Sequence, residues 1–304
     1  MDERGRGGAE AGFRSGFVCV VGRPNVGKST LTNRLVRGKV AITSDKPQTT
    51  RHAIRGILTL PEAQIVFIDT PGLQRPRNLL GERMNQVVRR TLREVDAVVF
   101  VLDASQPVGG GDGFISRELG QLATPVICVV SKADLVAPPR LLDQMETARA
   151  LGEWRDVLST SATRGTGLDY LARGLIELLP EGPVYYPSDS LRDQPDHLVV
   201  AELIREKVLD LTRKEVPHSV AVVVEEMGRR DGSDLVEIHA AIYAERDSQK
   251  GILIGKRGQM LKEIGSRARR EIEALLGSRV FLDLRVKIEP HWPRREALLR
   301  RFGY

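Results

Sequence analysis

Short apolar runs alternate with amphipathic segments between residues 17 and 179. Short segments rich in apolar residues are typical of buried strands, and the intervening segments carry apolar residues at helical spacing. The alternation predicts a mostly parallel sheet flanked by helices, with an antiparallel hairpin where the second and third runs lie close together. The predicted strands are 17–21, 54–60, 65–68, 97–102, 126–130 and 157–160, and the main predicted helices are 82–95, 140–151 and 168–179.

The pattern changes after residue 180. Prolines at 180, 183, 187 and 195 cannot continue a helix or a central strand, so we expect a linker over 181–196. Beyond it the pattern predicts the order α-β-β-α-α-β and a final basic helical turn. These elements cover 197–213, 220–226, 235–244, 248–254, 260–276, 279–288 and 294–301. The expected regions are a disordered tail (1–15), a first domain (16–180), the linker (181–196) and a second domain (197–304).

Composition narrows the class of protein. The chain has 304 residues, 41% hydrophobic and 28% charged, which is ordinary for globular domains. Cys19 and Cys128 lie within predicted strands and are interpreted as reduced core thiols, and no Cys/His cluster has metal-binding spacing. No apolar run reaches the ~18 residues of a membrane span. We expect a cytoplasmic protein whose net charge of +6 permits an anionic partner.

A glycine-rich loop between the first strand and an amphipathic helix predicts a phosphate-binding site. Residues 22–29 read Gly-Arg-Pro-Asn-Val-Gly-Lys-Ser and are followed by Thr30. Glycines let backbone N–H groups point at phosphate oxygens, and the helix presents its positive dipole end to the same anion. At this spacing Lys28 reaches the β- and γ-phosphates, and the Ser29 hydroxyl binds Mg²⁺.

A second motif, Asp-Thr-Pro-Gly at 69–72, follows the strand 65–68. Ligands of parallel sheets bind beyond the carboxyl ends of the strands. Asp69 can therefore hold Mg²⁺ directly or through water, and the Gly72 N–H can reach the γ-phosphate.

A third motif, Ser-Lys-Ala-Asp at 131–134, follows the strand 126–130. Asp134 can accept hydrogen bonds from the N1–H and amine of guanine, whereas adenine lacks that pair of donors. The aliphatic stem of Lys132 can cover the base. Ser161-Ala162, after the next strand, can supply a backbone N–H to the guanine carbonyl.

The second domain carries Gly-Lys-Arg-Gly at 255–258 between two predicted helices. This loop resembles that of a K-homology domain, in which Gly-x-x-Gly clamps a single-stranded nucleic-acid backbone, and the element order matches the type II topology. Residues 183–245 contain 7 Lys and Arg against 13 Asp and Glu, whereas residues 246–301 contain 15 against 7. The positive charge thus concentrates around the loop, as expected of a phosphate-binding surface.

The ordered motifs of the first domain resemble those of translation-factor-type GTPases, and their pairing with a K-homology loop resembles the Era-type GTPases of bacteria. The resemblance covers residues 16–304, including Trp292 and the ending 297–304. It implies a P-loop GTPase domain of α/β class followed by an α+β type II K-homology domain. It further implies GTP hydrolysis with Mg²⁺, binding to the 3′ end of 16S rRNA, a role in maturing the 30S subunit, and peripheral association with the inner membrane face. We expect a monomer.

The resemblance also implies two mobile switch segments, 39–52 and 73–82, with Thr50 in preference to Thr49 supplying a hydroxyl to Mg²⁺ when GTP is bound. Two positions depart from the pattern. Ser131 replaces the usual Asn that contacts guanine and braces the phosphate loop, so we expect weaker nucleotide binding. Leu73 replaces the glutamine that orients the attacking water in small signalling GTPases. With no assignable arginine finger, we expect slow hydrolysis that a bound partner accelerates.

Two alternatives remain open at this point: a P-loop ATPase acting on RNA, which Asp134 argues against, and a non-catalytic RNA-binding module of ribosome assembly. The candidate GTP-binding residues are Gly22, Arg23, Pro24, Asn25, Val26, Gly27, Lys28, Ser29, Thr30, Asp69, Thr70, Pro71, Gly72, Leu73, Ser131, Lys132, Ala133, Asp134, Ser161 and Ala162. The candidate catalytic residues are Lys28, Thr50, Asp69 and Gly72, and the candidate Mg²⁺ ligands are Ser29, Thr50 and Asp69. The candidate RNA-binding residues are Ile254, Gly255, Lys256, Arg257, Gly258, Lys262 and Arg269.

Overall fold

The computed structural model describes residues 12–46, 48–213, 216–230 and 232–304, which divide into two compact units. The first unit contains the chain up to Ala41, Thr50–Arg75 and Met84–Asp193. The second contains Gln194–Tyr304 together with two segments from the first half of the sequence, Ile42–Thr49 and Pro76–Arg83. Most of the tail predicted at 1–15 lies outside the described residues. Its last two positions, Arg14 and Ser15, belong to the first strand, so the prediction is wrong there.

The first unit is built on a six-stranded sheet in the order β2-β3-β1-β4-β5-β6. Every neighbouring pair is parallel except β2 and β3, which form the antiparallel hairpin predicted at one edge. The central strands are buried along their whole length because helices cover both faces. The strands are β1 (Arg14–Val21), β2 (Ile54–Thr59), β3 (Ala63–Asp69), β4 (Ala97–Asp103), β5 (Val126–Ser131) and β6 (Asp156–Ser159).

The helices of this unit are α1 (Lys28–Leu35), α2 (Leu79–Leu92), α3 (Gly110–Leu119), α4 (Pro138–Ala150) and α5 (Leu168–Leu178). The sequence pattern did not predict α3, because glycines at 109, 110 and 111 at its start are poor helix formers. Asp112 compensates for them, since its carboxylate accepts the Gly109 N–H at 2.9 Å and caps the helix.

The proline-rich stretch predicted as a linker packs along the open edge of β2. The Ile57 N–H donates to the Leu191 carbonyl at 2.9 Å, and Gly56 and Arg192 form an antiparallel bridge. Arg55 forms an ion pair with Asp193 at 2.8 Å. The residues up to Asp193 therefore belong to the first unit rather than spanning a gap between domains.

The second unit has the predicted order α-β-β-α-α-β. Its three-stranded sheet runs β7-β8-β9, with β7 antiparallel and β9 parallel to β8. The elements are α6 (Asp196–Leu211), β7 (Ala221–Arg229), β8 (Val236–Ala244), α7 (Asp247–Ile254), α8 (Gln259–Leu276), β9 (Val280–Ile288) and a short α9 (Glu296–Arg301). Its core joins apolar residues of α6, α8 and the sheet, and Ile42 is part of it. Within the described ranges, no helix has the length and apolar character needed to cross a bilayer.

Candidate functional sites

The phosphate loop connects β1 to α1 as predicted. Lys28 is only 6% exposed, and its ammonium donates to the carbonyls of Gly22 at 3.2 Å and Arg23 at 2.9 Å. Burial lowers the pKa of Lys28 to about 8. The first turn of α1 contains no acidic residue, and Thr30 is exposed in it, so this helix end is electrostatically suited to an anion.

Three side chains predicted as Mg²⁺ ligands converge beside this loop, although they lie far apart in the sequence. The Ser29 hydroxyl donates to Asp69 Oδ2 at 2.6 Å, and the Thr50 hydroxyl donates to the same oxygen at 3.2 Å. The two hydroxyl oxygens are 2.8 Å apart. Asp69 is fully buried, which raises its pKa, and its Oδ1 has no hydrogen-bond partner among the described residues.

This arrangement fits Mg²⁺. A buried carboxylate with an unpartnered oxygen is costly unless a cation or water joins it. Hydroxyl and carboxylate oxygens are the ligands that this hard cation prefers. The charge of a bound cation would also hold Asp69 ionised despite its burial.

Gly72 brings the chain against the phosphate loop. A Cβ at this position would lie 2.7 Å from the Pro24 nitrogen, so only glycine allows the approach. Just before Gly72, the Thr70 hydroxyl donates to the Val20 carbonyl of β1 at 2.8 Å, and Pro71 is buried. The Leu73 side chain is 1% exposed and lies in the apolar core of the first unit. It therefore has no means of orienting a water molecule.

Ser131 braces the phosphate loop despite being shorter than the asparagine expected there. Its hydroxyl lies 2.5 Å from the carbonyl oxygen of Val26 and 2.8 Å from that of Leu102, and can donate to either. The bracing function expected of asparagine is therefore retained. The loss of affinity predicted from Ser131 would have to come from the missing contact with the base.

Asp134 lies where a base-recognising carboxylate is predicted. It accepts hydrogen bonds from the Ser161 hydroxyl at 2.5 Å and the Thr163 hydroxyl at 3.1 Å, and the Ser161 bond lowers the pKa of Asp134. The Ser161 N–H donates to the Thr166 carbonyl, so the adjacent Ala162 N–H is the better-placed donor for a base. The Ala133 N–H donates to the Thr160 carbonyl and joins the two loops.

Sequence reasoning missed two carboxylates that organise this site. Asp103 is the last residue of β4, and its carboxylate accepts a hydrogen bond from the Lys132 ammonium at 2.6 Å. The same ammonium donates to the Asn25 carbonyl at 2.7 Å. Asp112 of α3 is fully buried and forms an ion pair with Arg23 of the phosphate loop at 2.7 Å. The strand-end rule could have identified Asp103. No local pattern connects Asp112 with Arg23.

The Gly-x-x-Gly loop joins α7 to α8 through a single helical turn at 256–258. Gly255, with φ 70°, needs the left-handed region, and a Cβ on it would lie 2.6 Å from that of Met260. Lys256 and Arg257 are exposed, whereas Ile254 is partly buried at the end of α7. The loop thus presents two cations on a backbone that closely approaches the following helix.

An open groove of about 490 Å³ continues from this loop between α8 and β9. Gly258, Lys262 and Arg269 line one side of it, so three of the predicted RNA-binding residues share one surface. Sequence reasoning missed the other side, which Phe281, Leu282 and Leu284 of β9 form. Phe281 is 50% exposed. An aromatic residue in the predicted strand after the basic helix was the available signal in the sequence.

Family models match both halves of the chain. A family model described as 50S ribosome-binding GTPase matches residues 17–132, and one described as KH domain matches residues 215–293. GTPase Era of Carboxydothermus hydrogenoformans is 51% identical over 295 residues, which cover 96% of this chain and 98% of that protein. GTPase Era of Streptomyces coelicolor is 51% identical over 306 residues, covering 97% and 96%.

Two solved structures resemble the whole chain. An Aquifex aeolicus Era variant bound to GDP and AlF4⁻ matches with a TM-score of 0.91 at 40% identity, covering 96% of this chain and 99% of that one. An Era complex with MgGDPNP and nucleotides 1506–1542 of 16S ribosomal RNA matches with the same TM-score, identity and coverage. The predicted fold class, a P-loop GTPase domain followed by a K-homology domain, is confirmed.

Proposed function

The chain belongs to the Era family of GTPases. We propose that it is an RNA-binding GTP switch that assists maturation of the small ribosomal subunit. It binds GTP with Mg²⁺ in the first unit and hydrolyses it to GDP and phosphate. The second unit binds the 3′ end of 16S rRNA. The observation that carries the proposal is the meeting of Lys28, the Ser29–Thr50–Asp69 cluster and Asp134 beyond the carboxyl ends of one sheet.

Each group of the first unit has a role in this proposal. Lys28 and the backbone N–H groups of residues 22–30 bind the phosphates, and Ser29, Thr50 and Asp69 hold Mg²⁺, which neutralises charge on the phosphate oxygens. The Gly72 N–H donates to the γ-phosphate. Since the Leu73 side chain lies in the core, no glutamine at that position orients the water, and intrinsic hydrolysis is slow.

Asp134 selects guanine because its carboxylate pairs with the N1–H and the amine of that base, and Lys132 covers the ring. An adenine would leave the carboxylate without its donors. The ATPase alternative therefore requires that Asp134 make no contact with the base. A competition measurement separates the GTPase from the ATPase. If ATP displaces a fluorescent GDP as well as GTP does, the guanine assignment is wrong.

In the second unit, residues 254–258, Lys262 and Arg269 bind the RNA backbone, and Phe281 offers a face on which a base can stack.

Single-turnover hydrolysis of GTP, with and without an RNA carrying the 3′ end of 16S rRNA, tests the whole proposal. We expect slow turnover that the RNA or the small subunit accelerates. Undetectable turnover in both conditions would favour the non-catalytic assembly module.

We propose that the protein works in the cytoplasm as a monomer and associates peripherally with the inner face of the membrane. Fractionation of cells with native and high-salt washes tests the membrane contact, since a peripheral protein is released by salt. Light scattering of the purified chain tests the monomer.

A further inference from the structure

The segment that leads to Thr50 is held by the second unit. Ile42, 3% exposed, packs in the apolar core of that unit. The Thr43 N–H donates to a carboxylate oxygen of Glu206 at 2.9 Å. Glu206 lies on α6, the first helix of the second unit, and its other oxygen accepts the Lys207 ammonium at 2.8 Å. The beginning of the segment is thus attached to α6.

The end of the segment is attached to the same helix by Arg205. This side chain is fully buried, and its guanidinium donates both to the Glu202 carboxylate and to the carbonyl of Thr49. Glu202 fixes the guanidinium plane through two nitrogen atoms. A charge-assisted hydrogen bond that is shielded from water is stronger than an exposed one.

The Thr49 carbonyl matters because it directly precedes Thr50. It belongs to the planar peptide unit that contains the nitrogen and Cα of Thr50, so fixing its direction fixes the start of residue 50. The Thr50 hydroxyl is one of the three groups that meet at the Mg²⁺ cluster, 2.8 Å from Ser29 and 3.2 Å from Asp69.

We propose that Arg205 is a positioning residue for Thr50, through which the RNA-binding unit sets how well the triphosphate-bound Mg²⁺ is held. The proposal rests on the GTP and Mg²⁺ binding proposed above. Arg205 itself touches neither nucleotide nor metal. It acts through one carbonyl, and its effect is confined to the state in which the Thr50 hydroxyl binds the cation.

The test measures how fluorescent GMPPNP, the non-hydrolysable GTP analogue also written GDPNP, and fluorescent GDP bind to the full chain as Mg²⁺ is titrated. Arg205→Lys keeps a positive charge beside Glu202, but a lysine cannot donate to the Glu202 carboxylate and to the Thr49 carbonyl from one rigid plane. Loss of one hydrogen bond of about 1 kcal/mol predicts an increase of about 5-fold in the Mg²⁺ concentration that half-saturates GMPPNP binding. Affinity for GDP should change by less than about 2-fold, the scatter expected of a neutral substitution.

A double-mutant cycle with Thr50→Ala separates positioning from general stabilisation. In that background Arg205→Lys should cause no further change, because the group it positions is gone. Additive effects, or equal losses for GMPPNP and GDP, would overturn the proposal. Arg90→Lys is the matched control, since the exposed Arg90 of α2 pairs with the exposed Glu94 just beyond the end of that helix.

Glu202→Gln provides a second variant that leaves Arg205 in place, in case Arg205→Lys fails to fold. It should shift the Mg²⁺ midpoint for GMPPNP in the same direction and by a smaller factor. If the native chain does not bind GMPPNP at all, the proposed function fails. If it binds with normal Mg²⁺ dependence and both variants match it, only the positioning proposal fails.

Discussion

The two candidate sites hold their cations in opposite surroundings. Lys28 is buried over the phosphate loop beside a buried carboxylate, whereas Lys256 and Arg257 are exposed on their loop. Charges in a low-dielectric interior interact strongly and individually, while exposed charges interact through water and salt. The first site therefore depends on single groups at fixed places, and the second on the summed charge of a surface.

Removal of the buried cation should have the largest effect. Lys28→Ala leaves the phosphates and Asp69 without their central positive charge. Loss of one partner of a desolvated charge pair costs about 2–5 kcal/mol, so affinity for GTP should fall by at least about 30-fold. Isothermal calorimetry with GTP and Mg²⁺ measures it, and RNA binding by the nucleotide-free chain should be unchanged. Retained affinity for GTP would mean that the phosphate loop is misassigned.

A charge of the wrong sign on the exposed loop should have an intermediate effect. Gly258→Asp introduces a carboxylate where no atom lies within 4 Å of a new Cβ, so the side chain has room and repels phosphate, although the φ of 78° adds backbone strain. We expect RNA affinity to fall by about 10-fold, or about 1.4 kcal/mol, with GTP affinity intact.

The matched control is Gly258→Asn, because φ is 78° at this position and asparagine tolerates the left-handed region without adding charge. Electrophoretic mobility shifts with a 16S rRNA 3′-end fragment compare the two variants. Equal losses would assign the effect to the backbone, and no loss in either would contradict the placement of RNA at this loop.

Salt concentration should affect RNA binding at the exposed loop through each phosphate contact that a cation makes. Lys256→Gln removes one exposed cation, so the slope of log affinity for single-stranded RNA against log salt should become less negative by about 0.7. Arg173→Gln on α5 is the control and should leave that slope unchanged. A slope that does not change with Lys256→Gln would mean that this lysine does not contact phosphate.

The smallest effect is expected at Ser131. Ser131→Asn restores the usual family residue and should tighten guanine-nucleotide binding. Because Ser131 already braces Val26, only the contact with the base remains to be gained. A single hydrogen bond of about 1 kcal/mol sets the limit at about 5-fold. Calorimetry with GDP measures it, and an unchanged affinity would mean that other groups compensate for the missing asparagine.

The motif positions and the elements other than α3 were predictable because they have local signatures. Alternating apolar runs located all six strands of the first sheet, and the rule that ligands bind at strand ends selected Asp69 and Asp134. Contacts between residues distant in sequence were not predictable. The pairing of Arg23 with Asp112, and the attachment of 42–49 to the second unit, depend on packing that no local pattern encodes.

The strand order also leaves β2 at the edge of its sheet, where unpaired N–H and C=O groups form a template for another chain. Leu191 and Arg192 occupy part of that template through their bonds to Ile57 and Gly56. The stretch predicted as a linker therefore also protects the protein against self-association through this edge. Proteolytic cleavage within it would expose the strand and favour aggregation, even with both functional sites intact.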